Sequence, residues 1–85
     1  MYRVQIAPIA VRDLDRIREP DLSRLRARIL ALESEPRPQG VKKLEGPLHR
    51  IRSGDWRILY GIDDGQKMVT ILRVLRRSER TYKRL

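Results

Sequence analysis

Two short runs of alternating apolar and polar residues, joined by a glycine turn, restrict this chain more than any other feature. They occupy residues 48–65, LHRIRSGDWRILYGIDDG. Ile51 falls between Arg50 and Arg52, and Trp56, Ile58, Tyr60 and Ile62 recur at every second position. Ser53-Gly54-Asp55 and Asp63-Asp64-Gly65 supply turn chemistry, because glycine accepts a positive φ and aspartate can bond its own backbone. The pattern predicts a β-hairpin feeding a third strand over residues 67–75. A period of two puts Trp56, Ile58, Tyr60 and Ile62 on one face and Arg57 on the other. Arg50 and Arg52 share a face, and the hairpin brings Arg57 across from them. An arginine cluster on the open face of a sheet is the feature to explain.

The rest of the chain must cover the other face. Residues 2–7 (YRVQIA) alternate as a first strand, and Pro8 suits the first turn of a helix, where its missing N–H costs nothing. Ala10, Val11, Leu14 and Ile17 then follow helical spacing. Pro20 interrupts the pattern and biases Glu19 away from helix. A second helix extends to about residue 35, with Leu22, Leu25, Ile29 and Leu32 as its apolar stripe. Arg24, Arg26 and Arg28 read as its solvated side. The connector PRPQG (residues 36–40) stops that helix, and residues 41–47 lead into the hairpin. Strict alternation in the last strand puts Met68, Thr70, Leu72 and Val74 on one face and Val69, Ile71, Arg73 and Leu75 on the other. The first strand is expected beside it, and the polar tail from residue 76 onward against the sheet. The expected fold is α+β, one domain over residues 1–85, in the order β-α-α-β-β-β, with two helices on one face of a small, mostly antiparallel sheet.

Composition narrows the chemistry. The formal charge is +9, and it is concentrated in residues 37–57 (net +4) and 73–85 (net +5), while the remaining stretches cancel. Sixteen of the twenty basic residues are arginine, whose planar fork of donors matches phosphate. Two converging cationic segments point to a polyanion, and nucleic acid is the usual one. One histidine and no cysteine exclude the usual zinc sites, and no metal or other cofactor is expected. No glycine-rich phosphate loop precedes a helix. The serines lack His–Asp partners for a hydrolase triad. No apolar run nears the ~20 residues of a membrane span. With cysteine absent as well, the expectation is a cytoplasmic protein with no membrane partner. His49 has a suitable intrinsic pKa for a base, but period two points it away from Arg50 and Arg52. Trp56 and Tyr60 read as core.

At this point the chain resembles a known family. The run GVKKLEGPLHRIRSGDWRILYGIDD, followed by ILRVLRRSERTYK, is similar to RelE-type toxins of the RelE/ParE toxin–antitoxin superfamily. The opening YRVQIAPIAVRDLDRI and the PRPQG connector match too. The most specific part is R-I-R-x-G-D-[WY]-R-[IV]-x-Y at residues 50–60, with an arginine and then a tyrosine near the C-terminus. The resemblance implies a toxin that enters the ribosomal A site and cuts the mRNA there, using the ribose 2′-OH as nucleophile. Arg57 matches the arginine that stabilises the attacked phosphate, either Arg76 or Arg77 the C-terminal catalytic arginine, and Tyr82 the C-terminal tyrosine. Arg50 and Arg52 fall where the best-known member carries two lysines. That departure matters, because arginine cannot serve as a proton acceptor. Lys42, Lys43, Arg73 and Lys83 are candidate RNA contacts. A cognate antitoxin is the implied partner, binding as an extended, amphipathic, net acidic segment. The ParE branch supplies the alternative, a gyrase poison that cuts no RNA, and a degenerate relative kept only for binding is a third reading.

Overall fold

The computed structural model describes residues 1–77. Its elements are β1 (Arg3–Ile6), α1 (Pro8–Asp15), α2 (Asp21–Ala31), β2 (Lys42–Glu45), β3 (Leu48–Ser53), β4 (Trp56–Asp63) and β5 (Met68–Arg76). The strands form a mixed sheet in the order β1-β5-β4-β3-β2. β1 runs parallel to β5, and the other three pairings are antiparallel. The expected α+β fold is therefore present, with β1 beside the last strand as alternation suggested. The short strand β2 is an addition to the expected order. Its sequence, KKLE, is too polar and brief to signal a strand, and pairing with β3 makes it one.

Both helices cover one face. Ala10, Leu14 and Ile17 meet Leu25, Ile29 and Leu32 over a floor of Ile51, Ile58, Tyr60, Ile62, Val69, Ile71 and Val74. Val11 departs from expectation and stays exposed. The stripe runs through Ala10, Leu14 and Ile17 at i, i+4 and i+7, and Val11 sits about 100° off it. The hairpin turn closes as the pattern predicts. Ser53 pairs with Trp56, and Gly54 holds φ +60°, which costs a glycine little.

Strict alternation fails in β5. Leu59 pairs with Arg73 while Tyr60 pairs with Ile71, so Leu72 is an extra residue in the ladder. This β-bulge resets the faces. Val69 and Ile71 point to the helices before it, and Val74 does so after it. Arg73 and Leu75 consequently do not share a face with Val69 and Ile71. Composition hides the bulge because both faces of this strand are apolar.

A polar clip closes the far end of the sheet. Arg37, from the proline-rich connector, donates to both Asp64 oxygens at 3.1 and 2.9 Å, and the Tyr2 hydroxyl donates to Asp64 Oδ1 at 2.5 Å. The Arg37 donors, helped by Tyr2, hold the Asp64 carboxyl down at about 2. A carboxylate depressed in the folded state stabilises it above the unfolded pKa and loses that effect as pH falls. The melting temperature should therefore drop between about pH 4 and pH 2, and Asp64→Asn should flatten that part of the profile. An unchanged acid limb in the variant would contradict the clip.

Candidate nucleic-acid interface

Cross-strand register assembles the cationic surface. Arg52 on β3 stands directly opposite Arg57 on β4, and Arg57 stands opposite Leu75 on β5. One step along, Lys42, Arg50, Leu59 and Arg73 form a second row across four strands. Directly paired residues share a face of the sheet, so both rows lie on the side away from the helices. Arg50, Arg52 and Arg57 thus meet on one surface, as alternation required.

The surface has an apolar floor. Leu59 and Leu75 are 0% and 2% exposed and lie outside the cluster that α1 and α2 cover. Arg50 and Arg57 are half-buried, and Arg52 is exposed. Guanidinium groups set among apolar side chains act in a lower dielectric than bulk water, which strengthens their hold on an anion.

Other candidates are placed differently. Lys43 pairs with His49 and so belongs to the helix side of the sheet, apart from the arginine rows. Arg76 pairs with Trp56, and its guanidinium lies 4.6 Å from the ring centroid, a cation–π contact on the helix side. Arg77 is exposed and donates its backbone N–H to the Asp55 carbonyl at 2.7 Å. Arg73 is bridged to Asp13 at 2.9 Å. Tyr82, Lys83 and most of the polar tail lie outside the described residues.

Helix α2 contributes one residue that the sequence reading assigned to solvent. Arg28 is half-buried and donates to the Arg52 carbonyl at 3.2 Å. It flanks the Leu25–Ile29 stripe, so its stem runs along the core while its head reaches under β3. Its place beside the stripe was the available signal.

Two groups that resemble acid–base candidates are structural. His49 is buried on the helix side, with Nδ1 2.7 Å from the Pro47 carbonyl and its ring stacked on Tyr60. That short contact to a carbonyl makes Nδ1 the protonated nitrogen. Tyr60 is fully buried and donates to the Pro36 carbonyl at 2.8 Å, and burial pushes its phenol up to about 12. Trp56 is core too, its indole N–H donating to Asp21 at 2.9 Å. Tyr60→Phe should leave the arginine rows in place yet strand the Pro36 carbonyl. That costs about 1–3 kcal/mol, and each kcal/mol lowers the melting temperature of a domain this size by roughly 4–8 °C. An unchanged melting temperature in Tyr60→Phe would contradict the structural role.

A small mixed sheet with two helices on one face and arginines on the other defines a compact α+β protein with a cationic surface suited to a polyanion. Comparison with known proteins makes the class specific. The family described as "ParE toxin of type II toxin-antitoxin system, parDE" matches residues 4–81. A curated relative, Toxin RelE of Mycobacterium tuberculosis, is 38% identical over 81 residues, spanning 91% of this chain and 82% of its own. Among solved structures, the archaeal RelE–RelB complex of Pyrococcus horikoshii aligns with TM-score 0.84 at 32% identity, over 93% of this chain and 98% of that one. The RelBE toxin–antitoxin complex of M. tuberculosis aligns with TM-score 0.78, also at 32% identity, over 88% and 96%. The chain belongs to the RelE/ParE superfamily of type II toxin–antitoxin toxins.

Proposed function

We propose that this toxin is a ribosome-dependent mRNA endoribonuclease that cuts in the A site and so arrests translation. The observation that carries the reading is the directly opposed Arg52–Arg57 pair, with Arg50 and Lys42 in the adjoining row. In the reaction the ribose 2′-oxygen attacks the adjacent phosphorus, the bond to the 5′-oxygen breaks, and that oxygen takes up a proton and leaves as a 5′-hydroxyl; the cyclic phosphate that remains opens to a 3′-phosphate when water adds to it. Negative charge spreads over the phosphoryl oxygens as this happens. Arg57 meets that charge with two parallel donors, and Arg50 and Arg52 hold the neighbouring phosphates. The proton of the 2′-OH goes to a group other than these arginines, which stay protonated throughout. Tyr82 is the residue whose place in the family motif suits it to orient or deprotonate that hydroxyl. Of the two C-terminal candidates, Arg77 is favoured, because Arg76 is engaged by Trp56 on the opposite side of the sheet. A site without a clear acid–base pair suits a reaction whose in-line geometry is supplied by the ribosome.

The match to the ParE family favours a second reading, in which the protein binds and poisons DNA gyrase without cleaving RNA. A gyrase binder does not need the arginine rows. In either case the partner is a cytoplasmic antitoxin presenting an amphipathic, acidic segment. The RelE relatives in M. tuberculosis and P. horikoshii are seen in complexes with RelB. On this chain Ile9 and a groove of about 320 Å³ between the helices, bordered by Ile6, Val11 and Leu30 with Asp15 and Arg26 at its rim, offer exposed apolar surface.

Inducible expression in bacteria separates the two readings. The ribonuclease reading expects immediate translation arrest with new mRNA 5′ ends inside reading frames. DNA-damage induction with intact mRNA would overturn it in favour of gyrase.

A further inference from the structure

β1 ends too soon. It pairs with β5 only as far as Ile71, and Ala7 adds one more bond from its N–H to the Ile71 carbonyl at 2.9 Å before the chain turns into α1. From Leu72 onward, that edge of β5 has no strand beside it among the described residues. This is also where the bulge falls, and where the strand carries Arg73, Leu75 and Arg76. An unpaired, bulged strand end is a poor platform for a site that depends on register.

Asp13 fills the gap. From the second turn of α1 its Oδ2 accepts the Val74 backbone N–H at 2.9 Å and Arg73 Nε at 2.9 Å, while Oδ1 accepts from the Arg73 terminal nitrogen at 3.2 Å. The Asp13 side chain is 11% exposed and that of Arg73 23%. A carboxylate therefore does the work of the missing strand's carbonyl and clamps the residue next to it. We infer that Asp13 is a positioning residue for the cationic interface, holding the bulged end of β5 so that Leu75 lies beside Arg57 and Arg76 lies on Trp56. Its consequence for cleavage rests on the ribonuclease reading; its consequence for the strand does not.

The test compares the full-length wild type with Asp13→Ala, Asp13→Asn and, as control, Asp15→Asn, an exposed carboxylate on the same helix. Three measurements are made below the melting temperature of every variant: amide exchange at Val74, emission of the single tryptophan, and the kinetics (kcat and KM) of mRNA cleavage on programmed ribosomes. Asp13→Ala should exchange Val74 at least about tenfold faster, the loss of roughly 1.4 kcal/mol of protection. It should also shift the Trp56 emission as Arg76 loosens. Its kcat should fall on the order of 10- to 100-fold, the scale of a misplaced group, with KM little changed. Asp13→Asn retains an acceptor for Val74 and should recover part of all three. Unchanged Val74 exchange in Asp13→Ala, or a fall in kcat that only tracks the folded fraction, would overturn the inference. A wild type that cleaves no RNA counts against the ribonuclease reading alone, and exchange and emission still decide the role of Asp13.

Discussion

Arg57→Ala should lose on the order of 100- to 1000-fold in cleavage rate, the usual cost of removing one preorganised donor from a developing anion. The fold and the antitoxin complex should survive. Arg57 lies on the face away from the helices, while its neighbour Ile58 is fully buried among them. The arginine side chain therefore leaves no hole in the core when truncated. Ile58→Ala gives the contrast, a cavity costing about 2–5 kcal/mol, enough to endanger a core this small. Arg57→Lys should recover only part of the rate, since an ammonium is a point charge and cannot present two parallel donors. Rate measurements on the three variants, each with a thermal melt, separate a lost donor from a lost fold.

Salt should have a comparably large effect on binding to isolated RNA. Lys42, Arg50, Arg52 and Arg57 lie in two adjoining rows of one surface. If about four to six cations, the tail included, meet phosphates, log K falls with log salt at a slope of roughly −3 to −4 for single strands. Between 50 and 200 mM salt that is a loss on the order of 100-fold. Sequence preference should be slight, because phosphate contacts carry no base information. Replacing Arg50 and Arg52 by alanine should make the slope shallower by about 1 to 1.5. A flat response in the wild type would show that these arginines have no phosphate role.

Much of this was legible in the residues because the hairpin has a strict period. With Trp56, Ile58, Tyr60 and Ile62 committed to the core, Arg57 had nowhere to go but the opposite face. Two-residue closure at Gly54-Asp55 then fixed Arg52 across from it. What escaped the sequence had no periodic signal. The bulge at Leu72 lies in a strand whose two faces are equally apolar, so a one-residue slip leaves the pattern unaltered. β2 exists only because β3 offers it an edge. Asp13 carries no signal that separates it from Asp15 on the same helix, and its role appears only where β1 runs out. Arg28 departs from its expected side for a related reason: a helical pattern assigns a side, whereas a long side chain at the margin can reach either one.

The ribonuclease reading is tested most directly by single-turnover cleavage of mRNA on programmed ribosomes, with wild type and Arg57→Ala side by side and a gyrase supercoiling assay run on the same preparations. The reading predicts rapid cleavage in the A site by the wild type, a loss of 100-fold or more in the variant, and untouched gyrase. Full cleavage by Arg57→Ala would contradict the role assigned to that arginine. Gyrase inhibition without any RNA cleavage would contradict the function itself.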